Sequence, residues 1–128
     1  MDAEPPKLQA RFYRTARGNE PVREWLKSFP KKDKKRIGED ISTIQFGWPV
    51  GYPTCRPLAH GIWEARTHLD DVIAQVYFFV AGDTMYLLHG IIKKTQETPK
   101  AAIDLARSRK QEIESELAKL RKRLGDKA

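Results

Sequence analysis

The sequence contains a single cysteine, Cys55, which excludes an internal disulfide and any zinc site built from several cysteines. A reducing cytoplasm fits this composition, so we expect a cytoplasmic protein. No apolar run is long enough to span a membrane. The N-terminal residues MDAEPPKLQAR also lack the apolar core of a signal peptide, and we expect neither an anchor nor a targeting segment.

Familiar catalytic motifs are missing as well. The three histidines and the acidic residues show no metal-ligand spacing, and we predict no metal and no other cofactor. The sequence has neither a glycine-rich phosphate loop nor a serine nucleophile motif. It has no internal repeat, and its length allows one domain over 1–128 to bury a core, with 111–128 as a C-terminal helical extension.

Positive charge is abundant. The chain has 24 Lys and Arg against 17 Asp and Glu, which gives a formal net charge of +7. Such a balance favours a polyanionic partner, because attraction to phosphates supplies most of the non-specific affinity for nucleic acids. A soluble basic protein without such a partner is the alternative reading of the same charge.

The N-terminal half predicts one strand and two helices. Alternating apolar residues over 8–12 indicate a short strand with one buried face. A helix begins at Pro21 and ends before Pro30, and a second helix carries KKDKKR and then isoleucines at helical spacing as far as Gly47. Residues 47–61, which are rich in glycine and proline, are expected to form an irregular loop.

The C-terminal half predicts three strands over 62–69, 72–80 and 84–92, joined by short turns into an antiparallel meander. A long helix follows from Pro99 to about Leu124, with apolar residues at spacings of three and four. The fold class is therefore α+β. We expect a small antiparallel sheet, formed by the N-terminal strand and the meander, that packs on an N-terminal helical hairpin and is followed by a long C-terminal helix.

The turns also predict which side chains share a face of the sheet. A two-residue loop at 70–71 places Arg66 opposite Gln75 and Glu64 opposite Tyr77. A three-residue loop at 81–83 would place Gln75 opposite His89. Opposed residues lie on the same face, so we expect a row of polar side chains on an open sheet surface.

Two lysines end the last predicted strand. Lys93 and Lys94 follow an apolar run and cannot enter the core without a partner, so the strand carries positive charge to its end. Lys93 falls on the predicted polar face, whereas Lys94 points away unless the chain turns. Each polar residue taken alone also fits a solvated outer face, but several donors held on one rigid surface suit an acidic or phosphate-bearing ligand.

Two stretches of the sequence, PLAHGIWEAR and LLHGIIKKTQETPKAAIDLA, resemble the RelE superfamily of bacterial toxins. The closer resemblance is to its phage-derived HigB-like branch, and it covers roughly residues 8 to 110. It implies a small cytoplasmic ribonuclease, an mRNA interferase that cuts messenger RNA typically on the ribosome. It also implies a cognate antitoxin as partner, often a helix-turn-helix protein.

The resemblance assigns expected roles to particular residues. Glu64 and Arg66 match a Glu-x-Arg of the branch, so Arg66 would bind the phosphate or the transition state, and Lys93 and Lys94 match its Lys-Lys-Thr connection. The implied reaction is metal-independent attack of the ribose 2′-OH on phosphorus, which forms a 2′,3′-cyclic phosphate. The sequence leaves its acid and base open among the candidates His89, Tyr77, Glu64 and His60.

One position departs from the family pattern. Gln75 stands where many members have an arginine, and an amide cannot supply that charge. A catalytically weak protein that binds RNA, the ribosome or an antitoxin is therefore the alternative reading.

Further RNA-binding candidates lie outside this row. The segment from Lys31 to Arg36 is a second basic patch, with a solvated helix face as the equal alternative. The full set of RNA-binding candidates is Gln75, His60, Arg56, Lys31, Lys32, Lys34, Lys35 and Arg36. The extension over 111–128 carries Leu117, Leu120 and Leu124 and can dock on the sheet, form a homodimer or meet the antitoxin; the sequence leaves these options open.

Overall fold

The computed structural model describes residues 4–93 and 99–125. Five strands form one sheet: β1 Gln9–Phe12, β2 Cys55–Pro57, β3 Trp63–His68, β4 Ile73–Ala81 and β5 Thr84–Lys93. Three α-helices accompany it: α1 Pro21–Lys27, α2 Lys31–Gly47 and α3 Lys100–Gly125. None of the helices in the described ranges combines the length and the apolar character needed to cross a membrane.

The α+β fold class is confirmed, with differences in the sheet. The strand order is β1-β5-β4-β3-β2, and β1 runs parallel to β5, whereas an antiparallel arrangement was expected. The helices between β1 and the meander give the chain the long connection that a parallel pair needs. The segment expected to be an irregular loop contains β2, which is too short for its alternation to be read among glycines and prolines.

The register of the first hairpin is confirmed and that of the second is wrong. Arg66 opposes Gln75 and Glu64 opposes Tyr77, as predicted. The second turn has only two residues between the paired Ala81 and Thr84, and a bulge follows at Tyr77 and Phe78. As a result His89 pairs with Tyr77, and Gln75 pairs with Ile91.

The bulge explains how the second hairpin keeps its polar residues on the predicted face. A shorter turn shifts the register by one residue, which sends Leu87 to the opposite face from the one predicted. The bulge inserts one extra residue, Leu88, into β5 and shifts the register again. From His89 onward the original face is therefore restored, and Lys93 lies on the same face as Arg66, as predicted.

The first face of the sheet packs against α1 and α2. Val76 and Phe78 lie in this core with Ile37 and Ile44 of α2, all of them buried. Tyr86 and Leu88 were expected here and lie instead on the opposite face, because of the changed register.

The second face is covered, so the expected open surface is wrong. The small residues Ala102 and Ala106 of α3 pack with Tyr77, Phe79 and Leu88 in a second core. Apolar side chains on this face gain more from contact with the helix than from exposure to water. The polar residues lie beside this contact. Of the extension over 111–128, Ile113 packs against the second core, whereas Leu120 and Leu124 are exposed, so the extension docks on the sheet only at its start.

Candidate functional site

A fully buried carboxylate, Glu64, lies at the centre of the polar network. Arg66 Nη1 donates to its Oε1 at 2.8 Å, and Arg56 Nη2 lies 2.9 Å from the same oxygen. Gln75 Nε2 donates to the other oxygen, Oε2, at 3.0 Å. Two guanidinium groups thus face one carboxylate, and the excess positive charge favours an anion.

Strand pairing places these side chains in rows across the sheet. Arg56 of β2 opposes Glu64 of β3, which opposes Tyr77 of β4, and Tyr77 opposes His89 of β5. In the neighbouring row Arg66 opposes Gln75. The structure therefore brings together most of the predicted row, and the unpredicted strand β2 adds Arg56 to it.

Arg66 is held rigidly but has one N–H left over. Its side chain is only 2% exposed and pairs with Glu64, and the ring of Tyr52 lies 5.7 Å from the guanidinium carbon. Within the described part of the chain, no acceptor reaches Arg66 Nε. This nitrogen has almost no solvent-accessible surface, so its missing acceptor costs free energy and it does not itself offer a contact to a ligand in solution.

Arg66 lines a cavity of about 280 Å³ between β3 and α2. The wall from α2 consists of Arg36, Glu39 and Asp40, and the wall from β3 includes His68. Successive residues on one face of a strand are about 6.6 Å apart, so His68 follows Arg66 along the cavity. Two cations, Arg66 and Arg36, and two acids, Glu39 and Asp40, thus line the same cavity.

The basic patch of α2 continues from this cavity. Arg36 Nη1 lies 3.3 Å from Asp70 Oδ1, and Lys32 Nζ lies 3.7 Å from Asp70 Oδ2. Lys31, Lys34 and Lys35 are exposed. The two basic regions that the sequence presented as separate therefore form one surface.

Tyr77 and His89 lie deeper, towards α3. Tyr77 is fully buried, and its hydroxyl donates to Gln75 Oε1 at 3.1 Å. The His89 ring stacks on Tyr77 with 6.2 Å between centroids. Burial, and secondarily the charge of Arg109, lowers the pKa of His89, which favours the neutral imidazole. Neither residue lines the cavity of Arg66.

The remaining candidates are spread along the sheet. Lys93 is 5% exposed and opposes Ile73, which in turn opposes His68. Lys94 lies outside the described residues. His60 is exposed beyond the opposite end of β3 from His68 and has a left-handed backbone, with φ of 64°.

Cys55 is not a thiolate nucleophile at neutral pH. Burial, reinforced by the charge of Glu64, raises the pKa of its thiol to about 11. The thiol is fully buried and packs in the core beneath α2, so its role is structural.

Sequence reasoning placed His68 on the same face as Arg66 but did not single it out as a site residue, and it named Tyr52 only as a loop aromatic that could stack on bases. His68 stands two positions after Arg66, and this period of two is the signal that places both on one face. Tyr52 is 68% exposed and lies over Arg66 through a loop whose path depends on tertiary contacts. No sequence period predicts that contact.

A comparison of the sequence with models of known protein families identifies the family of this chain. A family model described as phage-derived Gp49-like protein (DUF891) matches residues 24–111, which is more than two thirds of the chain. No curated protein matches the sequence. The matched region spans α1 to the middle of α3 and includes every residue of the Glu64 network. The chain therefore belongs to the phage-derived Gp49-like family, which is a family of RelE-like, toxin-related proteins.

Proposed function

We propose that this protein is the toxin of a type II toxin–antitoxin system, an endoribonuclease of the HigB-like branch that cleaves messenger RNA on the ribosome. The observation that carries the proposal is Arg66, a buried guanidinium that Glu64 fixes in the lining of a cavity. Membership of a RelE-like family supports the same activity.

The proposed reaction needs no metal. The ribose 2′-oxygen attacks the adjacent phosphorus and loses its proton to a base, while the bond from phosphorus to the 5′-oxygen breaks and that oxygen gains a proton. The products are a 2′,3′-cyclic phosphate and a 5′-hydroxyl. Arg66 donates to a non-bridging oxygen, where negative charge grows in the transition state. Glu64 holds the guanidinium in place, so little reorganisation is needed during the reaction.

His68 is the side chain best placed to carry a proton. It is exposed at the mouth of the cavity that Arg66 lines, and histidine is the residue type most often used for proton transfer near neutral pH. Glu64 already accepts from three donors, and Tyr77 is enclosed between the sheet and α3. These contacts favour His68 over Glu64 and Tyr77, and neither His89 nor His60 lines the cavity.

The basic surface of α2 supports RNA and the ribosome as partners. The lysines of α2 continue from the cavity and would contact RNA backbone or ribosomal RNA without reading bases. A helix-turn-helix antitoxin and a cytoplasmic location belong to the same proposal.

A second candidate function is RNA or ribosome binding without efficient cleavage. Gln75 favours it, because the amide satisfies Glu64 and Tyr77 without adding a charge. The substitution Gln75→Arg separates the two functions. If the protein binds RNA without cleaving it because this charge is missing, the variant should gain cleavage. If the protein is an active nuclease in which Arg56 supplies the charge, the variant should not cleave faster.

The decisive experiment incubates purified protein with messenger RNA, with and without ribosomes. We expect cleavage by the wild type and a loss of about 100-fold or more in Arg66→Ala, since removal of one oxyanion donor commonly costs about that factor. Arg17→Ala, at an exposed turn, is the matched control and should cut normally. Mass spectrometry of the products should show the cyclic phosphate.

Three outcomes contradict different parts of the proposal. Uncut RNA under both conditions contradicts the nuclease. Cleavage that survives Arg66→Ala contradicts only the site. Growth arrest on expression that the neighbouring gene product does not relieve contradicts the toxin–antitoxin pairing.

A further inference from the structure

A groove of about 850 Å³ lies between β1 and the C-terminal half of α3, away from the cavity of Arg66. Phe12 and Tyr86 form its floor on the sheet side, and Leu117 and Leu120 form its wall on α3. β1 is an edge strand of the sheet, and none of the residues that the structure describes adds a further strand beside it.

The apolar residues of this wall continue as a stripe along α3, and their solvent exposure increases towards the end of the helix. Ile113 and Leu117 are half-buried, whereas Leu120 is 50% exposed and Leu124 is 62% exposed. These residues are spaced by four, three and four positions, which is the seam spacing of helices that pack side by side. Two exposed leucines that extend a buried stripe indicate a helical partner, whereas scattered single leucines would not.

The rim of the groove is mainly cationic. Arg11 and Arg14 line it from β1 and the turn beyond, and Lys119 and Arg123 line it from α3. Two acids also line the groove: Glu116 of α3 and Glu20, whose Oε1 lies 3.0 Å from Arg23 Nη1. An acidic partner would complement this rim.

The same charges disfavour a second copy of this chain as the occupant. Its α3 end would bring a second basic segment, 119–123, against Arg11 and Arg14. Of the acids that could offset it, Glu112 already accepts from Tyr13 at 2.8 Å and Glu114 lies 3.2 Å from Lys110. Like charges brought into one interface oppose association.

We infer that this groove is the docking site for an acidic amphipathic helix of a partner protein. The apolar side of that helix packs on the stripe from Ile113 to Leu124, and its acidic side faces Arg11, Arg14, Lys119 and Arg123. This mode of recognition, a helix laid into a groove, is independent of whether the protein cleaves RNA.

The test uses the full chain and a synthetic fluorescein-labelled peptide with leucines at seam spacing and glutamates elsewhere. We expect saturable binding by fluorescence anisotropy, weakened by salt, with a gain of peptide helicity by circular dichroism. A peptide with lysine in place of every glutamate should bind at least 10-fold more weakly.

Variants locate the binding. Lys119→Glu with Arg123→Glu, and separately Leu120→Ala, should each weaken the acidic peptide at least 10-fold. Arg17→Glu with Arg107→Glu carries the same charge change on exposed positions outside the groove and should bind as the wild type does. Circular dichroism of each variant establishes that it is folded.

Several results would overturn the inference. Equal binding of the acidic and basic peptides would show that the cationic rim does not select the partner. Binding without a gain of helicity would show that the partner does not bind as a helix. No effect of Leu120→Ala excludes the stripe. A concentration-dependent dimer in sedimentation, abolished by Leu120→Ala, assigns the groove to a second copy instead.

Discussion

At the scale of single residues, Glu64 determines the site more than any catalytic candidate does. A fully buried carboxylate is tolerated in this sheet because two arginines and an amide satisfy it. The arginines depend on it in turn, since Arg66 is buried as well. The network therefore fixes the guanidinium before any ligand arrives, which is the condition for effective charge stabilisation.

The first prediction concerns this mutual dependence. Glu64→Gln keeps the shape of the side chain but leaves the buried Arg66 without its counter-charge, and we expect the free energy of unfolding to fall by about 3 kcal/mol. Urea denaturation measures it. Glu114→Gln, which breaks a pair between the exposed Glu114 and the partly buried Lys110, should cost less, about 1 kcal/mol. Equal losses in the two variants would contradict the central role of Glu64.

The second prediction concerns His89 and pH. Its pKa is lowered in the folded state, so the unfolded chain binds the proton more readily. This contribution to stability is present above the ordinary pKa of 6.5 and is lost as the pH falls through the folded value. Chemical denaturation at pH 7.5 and 5 should show a smaller loss for His89→Gln than for the wild type. An identical loss of unfolding free energy in the two proteins would mean that protonation of His89 does not contribute to the pH dependence.

At the scale of elements, the crossing of β5 and α1 depends on one glycine. Gly90 passes under the ring of Trp25, and a Cβ at this position would overlap the six-membered part of that ring. Trp25 packs edge-on against Phe29, so the ring has little freedom to move aside. The close approach requires glycine for lack of space, not for a special backbone angle.

The third prediction compares two glycines. Gly90→Ala should lower the free energy of unfolding by about 2 kcal/mol or more through overpacking. Gly38→Ala on α2 has no atom within 4 Å of the new Cβ and should raise stability by about 0.5–1 kcal/mol through helix propensity. Thermal or urea unfolding measures both. A neutral Gly90→Ala would show that α1 does not press on β5.

At the scale of the whole molecule, the lysines of α2 and the cations at the end of α3 form two distinct basic surfaces. α2 and its lysines lie on one face, and α3 with its terminal cations lies on the other. We expect the α2 surface to bind RNA and the α3 surface to bind the acidic partner. The net charge of +7 is thus divided between two roles.

The fourth prediction tests this division through salt dependence. The affinity of a protein for single-stranded RNA falls with salt in proportion to its phosphate contacts, by about 0.7 in log–log slope for each. Changing Lys31, Lys32, Lys34 and Lys35 to Gln should reduce that slope by up to about 2.8 in filter binding. The same change at Lys119, Arg121, Lys122 and Arg123 should leave the slope nearly intact. Equal reductions would mean that charge alone, without location, governs binding.

Features that depend on residues close together in the chain could be predicted from the sequence, whereas features that depend on distant residues could not. Helix ends at Pro21 and Gly47 and the register around Arg66 were predictable, because proline, glycine and a two-residue turn act locally. The bulge beside Tyr77 was not, because it results from how β5 fits both cores at once. Strand β2 was missed for the same reason, since its three residues pair only when β3 is present.

The sequence by itself determined the α+β class, the apolar face that meets α1 and α2, and the alignment of Arg66 with Gln75. These features depend on side-chain period and turn chemistry, which are properties of neighbouring residues. Only the tertiary structure decided that α3 covers the second face, that Arg56 and Glu64 fix Arg66, and that His68 shares its cavity. Those outcomes depend on contacts between residues far apart in the chain, where burial and charge compensation, and not local propensity, set the free energy.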